Sequence, residues 1–200
     1  MKSAATVVVI MWMLTGTAVY AAGDAAAGKA KSNICVACHG PDGNSINPEW
    51  PKIAGQWPAY MVEQLQAFKS GARKNALMAG ITKNLSEQDM KDLAAYFASQ
   101  KTKITGAGDA ALAEQGQRLY RGGNAKANIA ACMACHGPAG KGIPPRFPRV
   151  SGQHAKYTAL QLIAFRAGKR ESDGEIMTRI AARMSNQEIK AVAEYIAGLH

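Results

Sequence analysis

The apolar positions of this chain follow helical rather than alternating periods. Tyr60, Gln64, Leu65 and Phe68 recur at three- to four-residue spacing within 58–69, and Tyr157, Gln161, Leu162 and Phe165 do so within 155–166. That is the period of a helix burying one stripe. Ala-rich Ala25–Asn33 and Ala110–Tyr120 read as first helices. The sharpest starts are Ser86-Glu87-Gln88-Asp89 and Ser185-Asn186-Gln187-Glu188, each a hydroxyl N-cap with an acid at N3. Leu85 with Met90, and Met184 with Ile189, bracket these caps as hydrophobic staples. No run alternates as a half-buried strand would, so the chain is expected to be all-α. The segments after the cysteine pairs, and those between the second and third helices, carry Gly and Pro and read as loops.

The helices come in two matching sets. Asn33-Ile34-Cys35-Val36-Ala37-Cys38-His39-Gly40-Pro41 returns as Ala130-Ala131-Cys132-Met133-Ala134-Cys135-His136-Gly137-Pro138. The register holds through Gly55-Gln56 and Gly152-Gln153, Tyr60 and Tyr157, Phe68 and Phe165; about half of positions 35–73 match their partners. A two-residue insertion then shifts it, and Met78/Met177, Ser86/Ser185, Gln88/Gln187 and Tyr96/Tyr195 follow. The chain is a tandem duplication. Thr105-Gly106-Ala107-Gly108 lacks an apolar period and marks the join, giving expected domains 22–105 and 106–200. The second unit carries an extra segment near Arg121–Asn128.

Composition narrows the class. With 48% apolar and 19% charged residues among 200, wholesale disorder is excluded. One apolar stretch, Ala4–Leu14 behind Lys2, is too short to span a bilayer. Followed by Val19-Tyr20-Ala21, it reads as a secretory signal peptide, residues 1–21, cut after Ala21; a retained anchor is the alternative. The mature chain is therefore expected outside the cytoplasm. Its excess of Lys and Arg is scattered, with no basic run of five, which argues against nucleic acid and for acidic protein faces or anionic lipid.

All four cysteines lie in two Cys-x-x-Cys-His motifs, Cys35, Cys38 and His39, and Cys132, Cys135 and His136. The pattern points to covalent attachment of two c-type haems. Two thiols one helical turn apart can each bond a porphyrin vinyl group, and the adjacent His can ligate the iron. A redox dithiol would sit in a βαβ context. A shared zinc would join pairs separated by nearly 100 residues. A disulfide across two residues closes too small a loop to contribute much.

The duplication sorts candidates for the sixth ligand. Met61, Met90 and Met133 align with Thr158, Ile189 and Val36, and Met184 with Leu85. Only Met78 and Met177 coincide, so the expected metal ligands are His39 with Met78 and His136 with Met177. A His/Met pair raises the reduction potential. His154 and His200 have no counterparts and read as surface residues. Pro51 and Pro148 are expected to offer carbonyls to the ligating histidines. Tyr60/Tyr157, Phe68/Phe165 and Trp50/Phe147 are expected to wall the haem edges. Gly28 and Gly116 are expected to let each first helix approach the last one near Tyr96 and Tyr195.

With both haem motifs, the two Gly-Gln pairs, the last helices and the start Ala22-Gly23-Asp24-Ala25, the chain resembles the cytochrome c4 family of two-haem electron carriers. The resemblance covers essentially the whole mature chain. It implies class I cytochrome c domains related by a pseudo-twofold axis, haem propionates near the domain interface, electron exchange between the haems, and His/Met ligation at the positions above. It also implies a periplasmic carrier, not an enzyme, at the inner-membrane surface, between donors such as quinol–cytochrome c reductase and a terminal oxidase. Rival readings are a two-haem peroxidase, a gas sensor, or the haem subunit of a periplasmic dehydrogenase. Residues 22–105 hold 10 basic and 7 acidic side chains and residues 106–200 hold 13 and 7. The second unit is therefore expected to dock the more acidic partner, through Arg146, Arg149, Lys169 and Arg170.

Overall fold

A computed structural model describes residues 22–171 and 173–200; the signal-peptide reading lies outside the described residues. Among the described residues, ten α-helices form two sets of five. The first is α1 (Ala25–Lys31), α2 (Asn33–His39), α3 (Pro58–Ser70), α4 (Ala76–Thr82) and α5 (Glu87–Ala98). The second is α6 (Ala110–Gly122), α7 (Met133–His136), α8 (Ala155–Arg166), α9 (Ile176–Ala181) and α10 (Asn186–Gly198). Among the described residues there are no strands, only two isolated bridges, one closing the extra segment between Asn124 and Ile129.

The helix starts follow local chemistry. Ser86 and Ser185 accept from the backbone N–H of Asp89 and Glu188, whose carboxylates reach back to the caps, so both capping boxes form. Asp24 and Asp109 cap α1 and α6. Two expectations need correction. The first helix of the first unit does not run through Asn33; it ends at Lys31, and α2 begins at Asn33 and carries the cysteine motif. Met78 and Met177 lie not in loops but in the helices α4 and α9. Asn75 caps α4 by accepting from the Met78 N–H at 2.9 Å. Six or seven residues are too few to display a helical period.

In each unit the first helix crosses the last at a glycine. A Cβ on Gly28 would lie 2.0 Å from the Asp92 carbonyl, and one on Gly116 would lie 2.0 Å from that of Ala191. Behind each crossing sits a small core: Met61, Leu85, Met90, Leu93 and Phe97 in the first unit, and Leu119, Tyr120, Leu162, Met184, Ile189, Val192 and Ile196 in the second. The acid that ties the chain start to the last helix differs. Buried Asp92 accepts from the Asp24 N–H at 2.9 Å and pairs with Lys31 at 3.0 Å. In the second unit Glu194 accepts from the N–H groups of Gly108 and Asp109.

The units meet face to face across a pseudo-twofold seam. Gln56 donates to the Arg149 carbonyl and accepts from the Arg149 N–H, both at 2.9 Å. Gln153 repeats this with Lys52, at 2.8 and 2.9 Å. Arg73 stacks over Phe68 and donates to Tyr157 and Gln161, each at 2.9 Å. Arg170 stacks over Phe165 and donates to Tyr60 at 2.7 Å. The same residue types cross in both directions, as an isologous contact requires. Buried Lys52 also donates to the Lys103 and Gly152 carbonyls, at 2.5 and 3.0 Å, fastening the connecting segment. Among the described residues no helix is long and apolar enough to cross a membrane.

Candidate haem sites in a shared cavity

The two units enclose one cleft of about 1470 Å³, larger than the roughly 300–1,000 Å³ of an ordinary small-molecule pocket. Cys35, Cys38, His39 and Met78 line one half, and Cys132, Cys135, His136 and Met177 line the other. Helices α2 and α7 bring each histidine to the wall, and α4 and α9 bring each methionine. Trp50, Tyr60, Phe68, Phe147, Tyr157 and Phe165 also line the cleft.

Each histidine is oriented before any metal arrives. His39 Nδ1 lies 2.9 Å from the Pro51 carbonyl and His136 Nδ1 lies 2.9 Å from that of Pro148. A carbonyl only accepts, so Nδ1 carries the proton and donates it, leaving the Nε2 lone pair for a ligand bond. Burial lowers both histidine pKa values, and the carbonyl bonds only partly oppose it. Burial therefore favours the neutral ring that ligation requires. Burial also pushes the Cys35 and Cys132 thiols up to about 11, far from the thiolates that a reactive dithiol exposes.

The cleft fits a large apolar ring bearing acidic groups. Its wall is mostly aliphatic and aromatic, while Arg149 and Arg170 at the seam have buried Nε atoms without a hydrogen-bond partner. Their donors suit carboxylates on the ring. Tyr157 stands beside Arg73 and Arg170; burial pushes its hydroxyl up, but the two arginine charges outweigh this and hold it below its ordinary value.

Two sequence readings change. His154 is not a surface residue: its Nε2 lies 3.0 Å from both the hydroxyl and the carbonyl of Ser45 across the seam. Standing in the place of Trp57, it performs the same bridging task, since Trp57 Nε1 donates to the Lys141 carbonyl at 2.8 Å. Arg170 is buried and Arg149 half-buried, so of the expected docking cations only Arg146 and Lys169 are exposed. His200 is exposed. The roles of Arg73 and Arg170 at the seam were not anticipated, although the two coincide in the repeat register.

Two five-helix units, each presenting Cys-x-x-Cys-His to an apolar cleft, define a two-domain c-type cytochrome. The cytochrome c family model matches residues 25–101 and again 113–200. The chain is 51% identical to cytochrome c4 of Pseudomonas aeruginosa, over 94% of each chain. It is 48% identical to that of Azotobacter vinelandii, over all of both. The crystal structure of reduced recombinant cytochrome c4 from Pseudomonas stutzeri, 48% identical, superposes with a TM-score of 0.86, covering 90% of this chain and all of that one. The chain belongs to the cytochrome c4 family. It is a two-haem electron-transfer cytochrome with two covalently attached c-type haems.

Proposed function

We propose that this protein is a periplasmic shuttle between respiratory complexes, taking electrons from quinol–cytochrome c reductase and delivering them to a terminal oxidase at the inner-membrane surface. The mature chain begins at Ala22, with one domain over 22–105 and the other over 106–200. Cys35 and Cys38 bind one haem and Cys132 and Cys135 the other. His39 with Met78, and His136 with Met177, ligate the irons. When bound, each haem supplies a one-electron ferric/ferrous couple.

The observation that carries this reading is the repeated placement, in both units, of a methionine and a carbonyl-held histidine on the wall of one cleft. The histidines hold their Nδ1 protons toward fixed carbonyls, and aromatic side chains line the cleft beside them. The exposed Arg146 and Lys169 offer the second domain to an acidic partner.

The test is the optical spectrum of the mature protein with haem counted per chain. The expected result is two haems and a weak long-wavelength sulfur-to-iron band of two-methionine strength in the ferric form. A half-strength or missing band, with fast binding of carbon monoxide or cyanide at one haem, would overturn it in favour of an open iron and an enzyme or sensor.

A further inference from the structure

The peptide that holds each histidine is itself held by the other domain. The Pro51 carbonyl accepts from His39 Nδ1 at 2.9 Å. The N–H on the far side of that same peptide, of Lys52, donates to Gln153 Oε1 at 2.9 Å. The mirror arrangement links His136 to the Pro148 carbonyl, and the Arg149 N–H of that peptide to Gln56 Oε1, at 2.9 Å each. Each glutamine is fixed by two further bonds. Gln153 donates to the Lys52 carbonyl and accepts from the His154 N–H, at 2.8 and 3.0 Å. Gln56 donates to the Arg149 carbonyl and accepts from the Trp57 N–H, at 2.9 Å each.

We propose that Gln56 and Gln153 are crossed positioning residues: each sets the orientation and basicity of the iron-ligating histidine in the opposite domain, and so tunes the potential of the opposite haem. This rests on the His39 and His136 ligand reading above.

The physical route is short. A peptide is one conjugated unit, so an acceptor at its N–H increases negative charge on its oxygen, and bonds in such a chain strengthen one another. A stronger acceptor draws harder on Nδ1–H and makes the imidazole a better electron donor to the metal. An electron-rich ligand favours ferric iron. Loss of the glutamine therefore raises the potential of the haem in the other domain. It also couples haem electronics to domain contact, because the tuning group arrives only when the domains are docked. The Gly-Gln pairs in both repeats are thereby assigned a task that neither domain could show alone.

The experiment is a spectroelectrochemical titration of full-length holoprotein, with the two haems resolved by paramagnetic NMR. Gln153→Leu is expected to raise the potential of the haem held by His39 more than that of the other, and Gln56→Leu the reverse. Trp57→Phe removes a seam bond to the Lys141 carbonyl that reaches neither histidine, and is expected to show no crossed pattern. Equal shifts at both haems, larger shifts in the variant's own domain, or no shift in a folded variant would each overturn the proposal. If the leucine variants do not fold, amide exchange in the wild-type ferrous protein decides. Slow exchange at both Lys52 and Arg149 supports the relay, and exchange at exposed-loop rates at either sinks it. A wild-type paramagnetic NMR spectrum lacking hyperfine-shifted ring signals from His39 and His136 would remove the ligand reading itself. An intact spectrum with uncrossed shifts removes only the relay.

Discussion

Gly28 and Gly116 show how much one missing Cβ decides. Helices pack closely enough there that an added carbon meets a rigid backbone carbonyl at 2.0 Å, and neither helix can yield without moving the core behind it. Gly28→Ala is expected to cost about 3 kcal/mol, the upper end for overpacking, and to lower the melting temperature of that domain by about 12–24 °C. Gly80 is the contrasting case. It lies within α4, no atom would meet its Cβ within 4 Å, and Gly80→Ala is expected to stabilise by up to about 1 kcal/mol. Calorimetry of the two variants checks both signs. If Gly28→Ala melts like wild type, the helices do not cross as described. Glycine positions were legible from the duplication, because both repeats keep one there. Which helix each glycine meets depends on the chain folding back.

At the scale of elements, the two domains begin and fasten their helices with different acids. Asp89 and Asp92 both have pKa values held down. For Asp89 the leading cause is the bond from Lys31, followed by Ser86. For Asp92 it is the Asp24 N–H, followed by Lys31 and Gln88. A carboxyl with a depressed folded pKa contributes stability above its unfolded value, near 3.9, and loses it as pH falls through the folded value. The first domain is therefore expected to lose stability below about pH 4, and Asp92→Asn to flatten that dependence. Urea titrations from pH 7 to pH 3 check it; an unchanged acid slope in the variant would remove Asp92 from the account. Ser185→Ala, which breaks the second domain's capping box, is expected to cost about 1 kcal/mol. The caps were legible because their chemistry is local. The methionine-bearing helices α4 and α9 were not, because so few residues cannot show a period. Their cap is a lone Asn75 in one case and no side chain in the other.

At the scale of the molecule, the seam governs behaviour. His154 has a lowered pKa: burial is the main cause and the Lys52 charge adds to it, against the bond to the Ser45 carbonyl. Because the folded value lies below the ordinary 6.5, the unfolded or undocked chain takes the proton first. The contribution of His154 to docking is then lost progressively as pH falls below about 6.5. Limited proteolysis of the segment 103–108 is expected to be faster at pH 5 than at pH 7, and His154→Gln to remove much of the difference. Equal rates at both pH values would exclude His154 as the cause. The outer surface makes a separate prediction. Charge-neutral variants of Arg146 and Lys169 are expected to weaken the salt dependence of electron exchange with an acidic partner. Stopped-flow rates at several ionic strengths check it, and an unchanged slope would move the docking face elsewhere.

The sequence by itself determined what depends on neighbours along the chain: the duplication, the Cys-x-x-Cys-His motifs, the capping boxes and the pairing of Met78 with Met177. These are written in identity and spacing, and a helix turn translates spacing directly into position. Only the tertiary structure decided that His154 and Arg170 belong to the seam and not to the surface. It alone shows that Lys52 is buried against carbonyls, and that Gln56 and Gln153 reach the histidine-bearing peptides of the opposite domain. Those contacts join residues about 100 positions apart. No local period encodes them, because burial of a polar side chain is settled by what the other half of the molecule brings to meet it.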